Sequence, residues 1–142
     1  MSVVIDNSIA LAWTLIDERS SAADTILEKV MSEGGHVPFI FRAEFANGLT
    51  MALRRNRIDR ESRSEALAFM EALKLVHDVD GKDRMGAAVE LADAHGLTVY
   101  DALYLDLAQQ RRLPLATFDK KLIAATHRAG VRLAVSQTQD RP

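Results

Sequence analysis

Apolar positions recur along this chain in two rhythms. Short branched-aliphatic runs alternate with longer stretches in which apolar residues return every three or four positions. The first run, Val3-Val4-Ile5, predicts a buried strand ending at Asp6. A helix over residues 9–15 is expected next, capped by Asn7 or Ser8. A second helix starts near Ser20. Its Ala23, Ile26, Leu27 and Val30 follow the spacing of a core face, and Gly34-Gly35 stops it. His36-Val37-Pro38 reads as a brief extended segment.

Phe41, Phe45, Leu49 and Leu53 step by four through a helix over residues 41–54, which ends at Asn56. Asp59 caps the next helix, with Ala66, Phe69, Met70 and Leu73 on its inner face. A short strand is expected at 75–79. A helix from about residue 83 then turns Met85, Ala88, Val89 and Ala92 inward and stops at Gly96.

Residues 98–119, TVYDALYLDLAQQRRLPLATFD, are the most informative stretch. Thr98 is a fitting N-cap, and Asp101 falls in the first turn, where the helix dipole favours a carboxylate. Tyr100, Tyr104 and Ala108, with Leu103 and Leu107, predict a broad apolar helical face. Pro114 restricts the end of that helix and opens LPLAT, a run suited to a covered strand. Asp119 follows it. A final helix carries Leu122, Ile123 and Thr126 to Gly130, and a last strand is expected at 131–135. The tail, 136–142, is polar.

Strands alternating with amphipathic helices predict an α/β fold with a central parallel sheet of about 4–5 strands and about 7 helices. The helices near 41–54 and 59–73 interrupt the alternation as an inserted helical hairpin. With 142 residues and no repeat or linker, one domain over 1–135 is the economical reading.

Composition narrows the chemistry. The absence of cysteine removes disulfides, thiolate zinc sites and cysteine nucleophiles together. A formal net charge of −2 means that an anionic substrate must be drawn by local patches or by a bound cation. MSVVIDNSIALAW has no basic residue ahead of its apolar positions and carries Asp6 among them, unlike a secretory signal, so a cytoplasmic location is expected.

Ligands of open α/β sheets sit beyond the carboxyl ends of the strands. Asp6 ends the first strand, Asp119 follows a later one, and Glu44 and Asp101 lie near helix starts. These four carboxylates can therefore share one rim. Like charges at contact distance oppose each other's ionisation, and a divalent cation relieves that conflict. Oxygen-only donors suit Mg²⁺ or Mn²⁺ rather than Zn²⁺, and such sites do phosphoryl chemistry.

Asp6-x-Ser8 and Pro38 with Glu44 are weak signals alone. Tyr100-Asp101-Ala102-Leu103-Tyr104 followed by Leu115-Ala116-Thr117-Phe118-Asp119 is far more specific. With these residues the chain resembles the PIN domain, and more narrowly the VapC-type toxins of toxin–antitoxin pairs, over essentially its whole length. The resemblance implies that Asp6, Glu44, Asp101 and Asp119 form the acidic quartet that binds Mg²⁺ or Mn²⁺ and cleaves RNA by metal-activated water. It implies that Ser8 and Thr117 hydrogen-bond the carboxylates or the bound water. It also implies a homodimer silenced by a VapB-type antitoxin whose tail places a basic side chain at the acids. The apolar surplus of the hairpin, Phe41, Phe45, Leu49, Phe69, Met70 and Leu73, hints at such a partner. Asn7 departs from the small residue common at its position.

Other readings stand beside this one. Each acid alone could merely end a strand or start a helix. Asp106 is expected at the surface, and Asp78, Asp80 and Asp83 in a solvated acidic loop. His36, His77, His95 and His127 show no metal-ligand spacing. Arg54, Arg55, Arg57, Arg111 and Arg112 suit either RNA contact or the negative ends of helices. Trp13 reads as core. An aspartate-based phosphatase would need a second acid two residues after Asp6, where Ser8 stands. A non-catalytic interaction module on the same fold would have no use for clustered acids. A receiver-like domain does not suit the inserted hairpin.

Overall fold

The structure, a computed structural model, describes residues 1–134. Four strands form one parallel sheet: β1 (Val3–Ile5), β2 (Gly35–Pro38), β3 (Leu75–Asp78) and β4 (Leu115–Ala116). Their order across the sheet is β3-β2-β1-β4. The chain steps outward from β1 through β2 to β3 and then crosses back to place β4 on the other side of β1. The carboxyl ends of β1 and β4 thus flank the switch point where an α/β sheet opens a crevice. Beyond β4, Leu133 makes a single parallel bridge to Leu115 in place of the full strand expected at 131–135. Val135 and the polar tail at 136–142 lie outside the described residues.

Seven α-helices surround the sheet among the described residues: α1 (Asn7–Thr14), α2 (Ser21–Glu33), α3 (Phe41–Arg54), α4 (Arg60–Ala72), α5 (Met85–His95), α6 (Val99–Arg111) and α7 (Lys120–Arg128). Several starts follow local chemistry. Ser20 caps α2, Asp59 caps α4 and Thr98 caps α6, each accepting a backbone N–H three residues on. The α3–α4 hairpin turns at Asn56, whose φ of 59° is a left-handed conformation that asparagine tolerates better than most residues. A Cβ on Gly48 would come within 3.0 Å of a Leu11 methyl, so glycine here lets α3 lie close against α1.

The core is built around β1 and α6. Val3, Val4 and Ile5 are fully buried, and α6 is buried continuously from Ala102 to Ala108. A helix covered on nearly every side has no single apolar stripe. The broad face expected from Tyr100 onward is therefore corrected: Tyr100 is 60% exposed, whereas Tyr104 is 1% exposed. Phe69 on α4 and Met85 and Val89 on α5 also lie at the surface rather than inward. Phe41 and Phe45 stack in the core, their centroids 5.9 Å apart. With Leu49 and Met70 also buried, little of the hairpin's apolar surplus remains free. Trp13 is buried and donates its indole N–H to the Ala23 carbonyl.

Two expectations about acids change. Asp106 is buried, not at the surface, and accepts from Nε and Nη2 of the Arg84 guanidinium at 2.9 and 2.8 Å. Asp78 is buried at the end of β3, where it accepts from the Gly81 N–H and from Arg111. The arginines come from positions distant in sequence and satisfy charges that would otherwise be costly to bury.

Candidate active site

Asp6 is the best-held side chain at the switch point. It is the residue that caps α1, in place of the expected Asn7 or Ser8, with Oδ1 accepting from the Ile9 N–H at 3.2 Å. The Ser8 hydroxyl donates to the same oxygen at 2.6 Å, and the Thr117 hydroxyl donates to Oδ2. Both hydroxyls also accept from backbone: Ser8 from Phe118 N–H at 2.9 Å, Thr117 from Asp119 N–H at 3.0 Å. A backbone N–H can only donate, so each hydroxyl hydrogen is directed at Asp6. The loop after β4 is thereby tied to the start of α1.

Burial nevertheless dominates the electrostatics of Asp6. It pushes the carboxyl up to about 6, against the lowering effect of Ser8, Thr117 and the Ile9 N–H, and the charge of Asp101 pushes the same way. Asp101 lies in the first turn of α6. Burial raises its pKa, and the charge of Asp119 raises it further. Glu44 lies in the first turn of α3, half-buried, and is raised by burial and by Asp101, with a hydrogen bond from Tyr104 acting the other way. Asp119 caps α7 through the Leu122 N–H at 2.9 Å and is exposed. Asp101 therefore couples to all three other acids. All four occupy the N-cap or first turn of a helix, where the dipole favours negative charge.

This arrangement brings the four sequence-predicted acids, with Ser8 and Thr117, to one rim. The donor set is all oxygen and its members repel one another, which is the chemistry a hard dication fits. Among the described residues, no three His, Asp or Glu side chains are gathered tightly enough to enclose an ion. The fit thus rests on donor type and mutual charge. Asn7 Oδ1, on the residue next to Asp6, is buried without a hydrogen-bond partner among the described residues.

Residues 3–127 match the PIN domain family. The chain belongs to the PIN domain family. It is 32% identical over 126 residues to Ribonuclease VapC3 of Pyrobaculum aerophilum, a match covering 86% of this chain and 92% of that one. Its fold is similar to the crystal structure of PAE2754 from Pyrobaculum aerophilum, with a TM-score of 0.67 and 26% identity over 88% of this chain and 84% of that one. It is also similar in fold to VapBC2 from Rickettsia felis, solved with a DNA fragment from its promoter, with a TM-score of 0.65, 17% identity, and coverage of 94% and 97%.

Within this PIN domain the basic candidates divide. Arg57 is engaged by Asp17 and Glu18, and Arg111 by Asp78 and Asp80. Arg112 caps α6 in a left-handed conformation. Arg54 and Arg55, exposed at the end of α3, form no ion pair among the described residues. Lys120 and Lys121 are exposed directly after Asp119. They occupy the first turn of α7, where the helix dipole disfavours cations, so helix stability does not explain them. The histidines form no cluster. His36 has its Nδ1 buried without a partner among the described residues, and His77 lies against the Phe41 ring. Ser8, fully engaged between Asp6 and Phe118, has no histidine base of the kind a serine nucleophile needs.

One residue of the site was missed from sequence. Tyr104 Oη donates to Glu44 Oε1 at 2.7 Å, joining α6 to α3. The spacing that marked Tyr104 as core was right about its burial and carried no sign of its hydroxyl's partner.

Proposed function

We propose that this chain is an Mg²⁺- or Mn²⁺-dependent endoribonuclease acting as the toxin of a toxin–antitoxin pair in the cytoplasm. The observation that carries the proposal is the coupling of Asp6, Glu44 and Asp119 to Asp101. Four carboxylates share one charge problem at the sheet's switch point. Identity to Ribonuclease VapC3 over most of both chains supports RNA as the substrate.

In this reading Asp6 and Asp101 would hold the cation most directly. Asp119 completes or tunes the site, and Glu44 helps to position water or a second ion. A divalent cation held there would supply acidified water and charge neutralisation for phosphodiester hydrolysis. The protein's own residues do the rest. Ser8 and Thr117 fix the carboxylate plane of Asp6 from both sides. Lys120, Lys121, Arg54 and Arg55 offer phosphate contacts, so RNA binding weakens as salt rises. A homodimer and a VapB-type antitoxin with a basic tail complete the assignment. Such a tail matches a rim whose four acids form no ion pair among the described residues.

The test is induced expression with cleavage of total RNA in vitro, with and without Mg²⁺, for wild type and Asp101→Asn. Growth arrest and Mg²⁺-dependent cleavage in wild type, both absent in the variant, are expected. Equal activity in the two proteins would remove Asp101 from the site.

A further inference from the structure

We propose that Tyr104 is a positioning residue that aims Glu44 at the acidic rim and so raises the site's affinity for its cation. The inference rests on Glu44 belonging to the cation site. Asp101 and Tyr104 lie three positions apart on α6, so one helix presents a carboxylate and, one turn on, the donor that holds a second carboxylate from α3. Asp101 repels Glu44, and a glutamate has three rotatable bonds by which to swing away into solvent. The 2.7 Å hydrogen bond opposes that motion.

The direction of the bond is fixed. A carboxylate oxygen accepts, so in this contact the phenol O–H is the donor. A device for stability alone would not take this form. A well-packed apolar pair would hold α3 to α6 without leaving a half-buried carboxylate beside Asp101. What the phenol adds is a glutamate already ordered before a cation arrives, and preorganisation of that kind raises affinity.

The experiment titrates the full-length chain with Mn²⁺ by calorimetry at one neutral pH. It compares wild type, Tyr104→Phe, Glu44→Gln and the double variant. Partners of ligating groups are typically worth 10–100-fold in metal affinity. Tyr104→Phe is expected to weaken Mn²⁺ binding about tenfold in the native background, with little effect on top of Glu44→Gln. Unchanged affinity in Tyr104→Phe, or the same loss in both backgrounds, overturns the proposal. If Glu44→Gln alone leaves Mn²⁺ binding intact, the placement of Glu44 in the cation site fails first. Should Tyr104→Phe not fold, Tyr100→Phe leaves Tyr104 as the single tyrosine of a chain that has two. With ¹³Cζ-labelled tyrosine, Mg²⁺ is then expected to shift the Tyr104 resonance. A resonance that stays fixed while Mg²⁺ binds overturns the idea.

Discussion

Thr117 and Asp6 stand 111 positions apart and meet in a direct hydrogen bond, hydroxyl to carboxylate. The same hydroxyl accepts from the Asp119 N–H, so one oxygen joins the first strand's end to the start of the last helix. Thr117→Val keeps the shape and removes both contacts. The variant is expected to unfold more easily by about 1–3 kcal/mol in urea, because a buried acceptor and a backbone donor each lose a partner. RNA cleavage should fall roughly 10–100-fold. Cleavage at the wild-type rate would mean that Asp6 needs no bracing from this side.

Asp101→Asn should trade function for stability. Removing the shared charge relieves Asp6 and Glu44, whose ionisation Asp101 opposes. The expected outcome is loss of cleavage by more than the 10–100-fold typical of outer partners. The metal-free midpoint of thermal unfolding should rise by on the order of a few °C. A lower midpoint in a chelating buffer would show that the acids do not strain one another.

Without a divalent cation, acid should stabilise this protein through Asp6. Its carboxyl is raised from 3.8 to about 6 in the folded state, so folding takes up a proton between those values. Stability from this group is therefore full below about pH 4 and lost as pH rises through about 6. The contribution is on the order of 2–3 kcal/mol. Glu44 and Asp101 act in the same direction. Exposed Asp17 and Asp59 have lowered values and act oppositely, so the effect is isolated by comparing wild type with Asp6→Asn. Urea unfolding in EDTA across this range measures it. Added Mg²⁺ should stabilise more at pH 7 than at pH 5, since binding needs ionised carboxylates.

Arg84→Met tests the ion pair between half-exposed Arg84 and buried Asp106 on α6. Asp106 is 3% exposed and would be left without its partner. A loss of about 2–4 kcal/mol is expected in urea unfolding, and Arg84→Met with Asp106→Leu should recover most of it. RNA cleavage by the double variant should stay near wild type, because these two side chains bond to each other and not to the four acids.

Legibility followed the range of the forces involved. Asp59 and Thr98 were readable as caps because a cap is a contact between residues three apart. Gly96 was readable as a stop because its left-handed φ of 65° is a local demand. Asp78 and Asp106 were misjudged because their arginine partners lie 33 and 22 positions away. An acid with no visible partner is expected to remain in water. Tyr100 was placed inward because periodicity marks which residues share a face, not where that face ends. The four acids were legible for a mixed reason. Strand ends and helix starts put each at an element's end, and the family resemblance selected these four from the others.

By itself the sequence determined the alternation of strands and helices, the local ends of most of them, and an oxygen-only set of acids at those ends. Those features follow from propensity, spacing and capping, which act over a few residues. Only the tertiary structure decided the order β3-β2-β1-β4, which brings β4 beside β1 and so sets Thr117 against Asp6. It also decided the meeting of Glu44 from α3 with Tyr104 from α6 across 60 positions. Burial and like charge raise a carboxyl's pKa only when desolvated groups meet in space, and that meeting is a property of the packed fold.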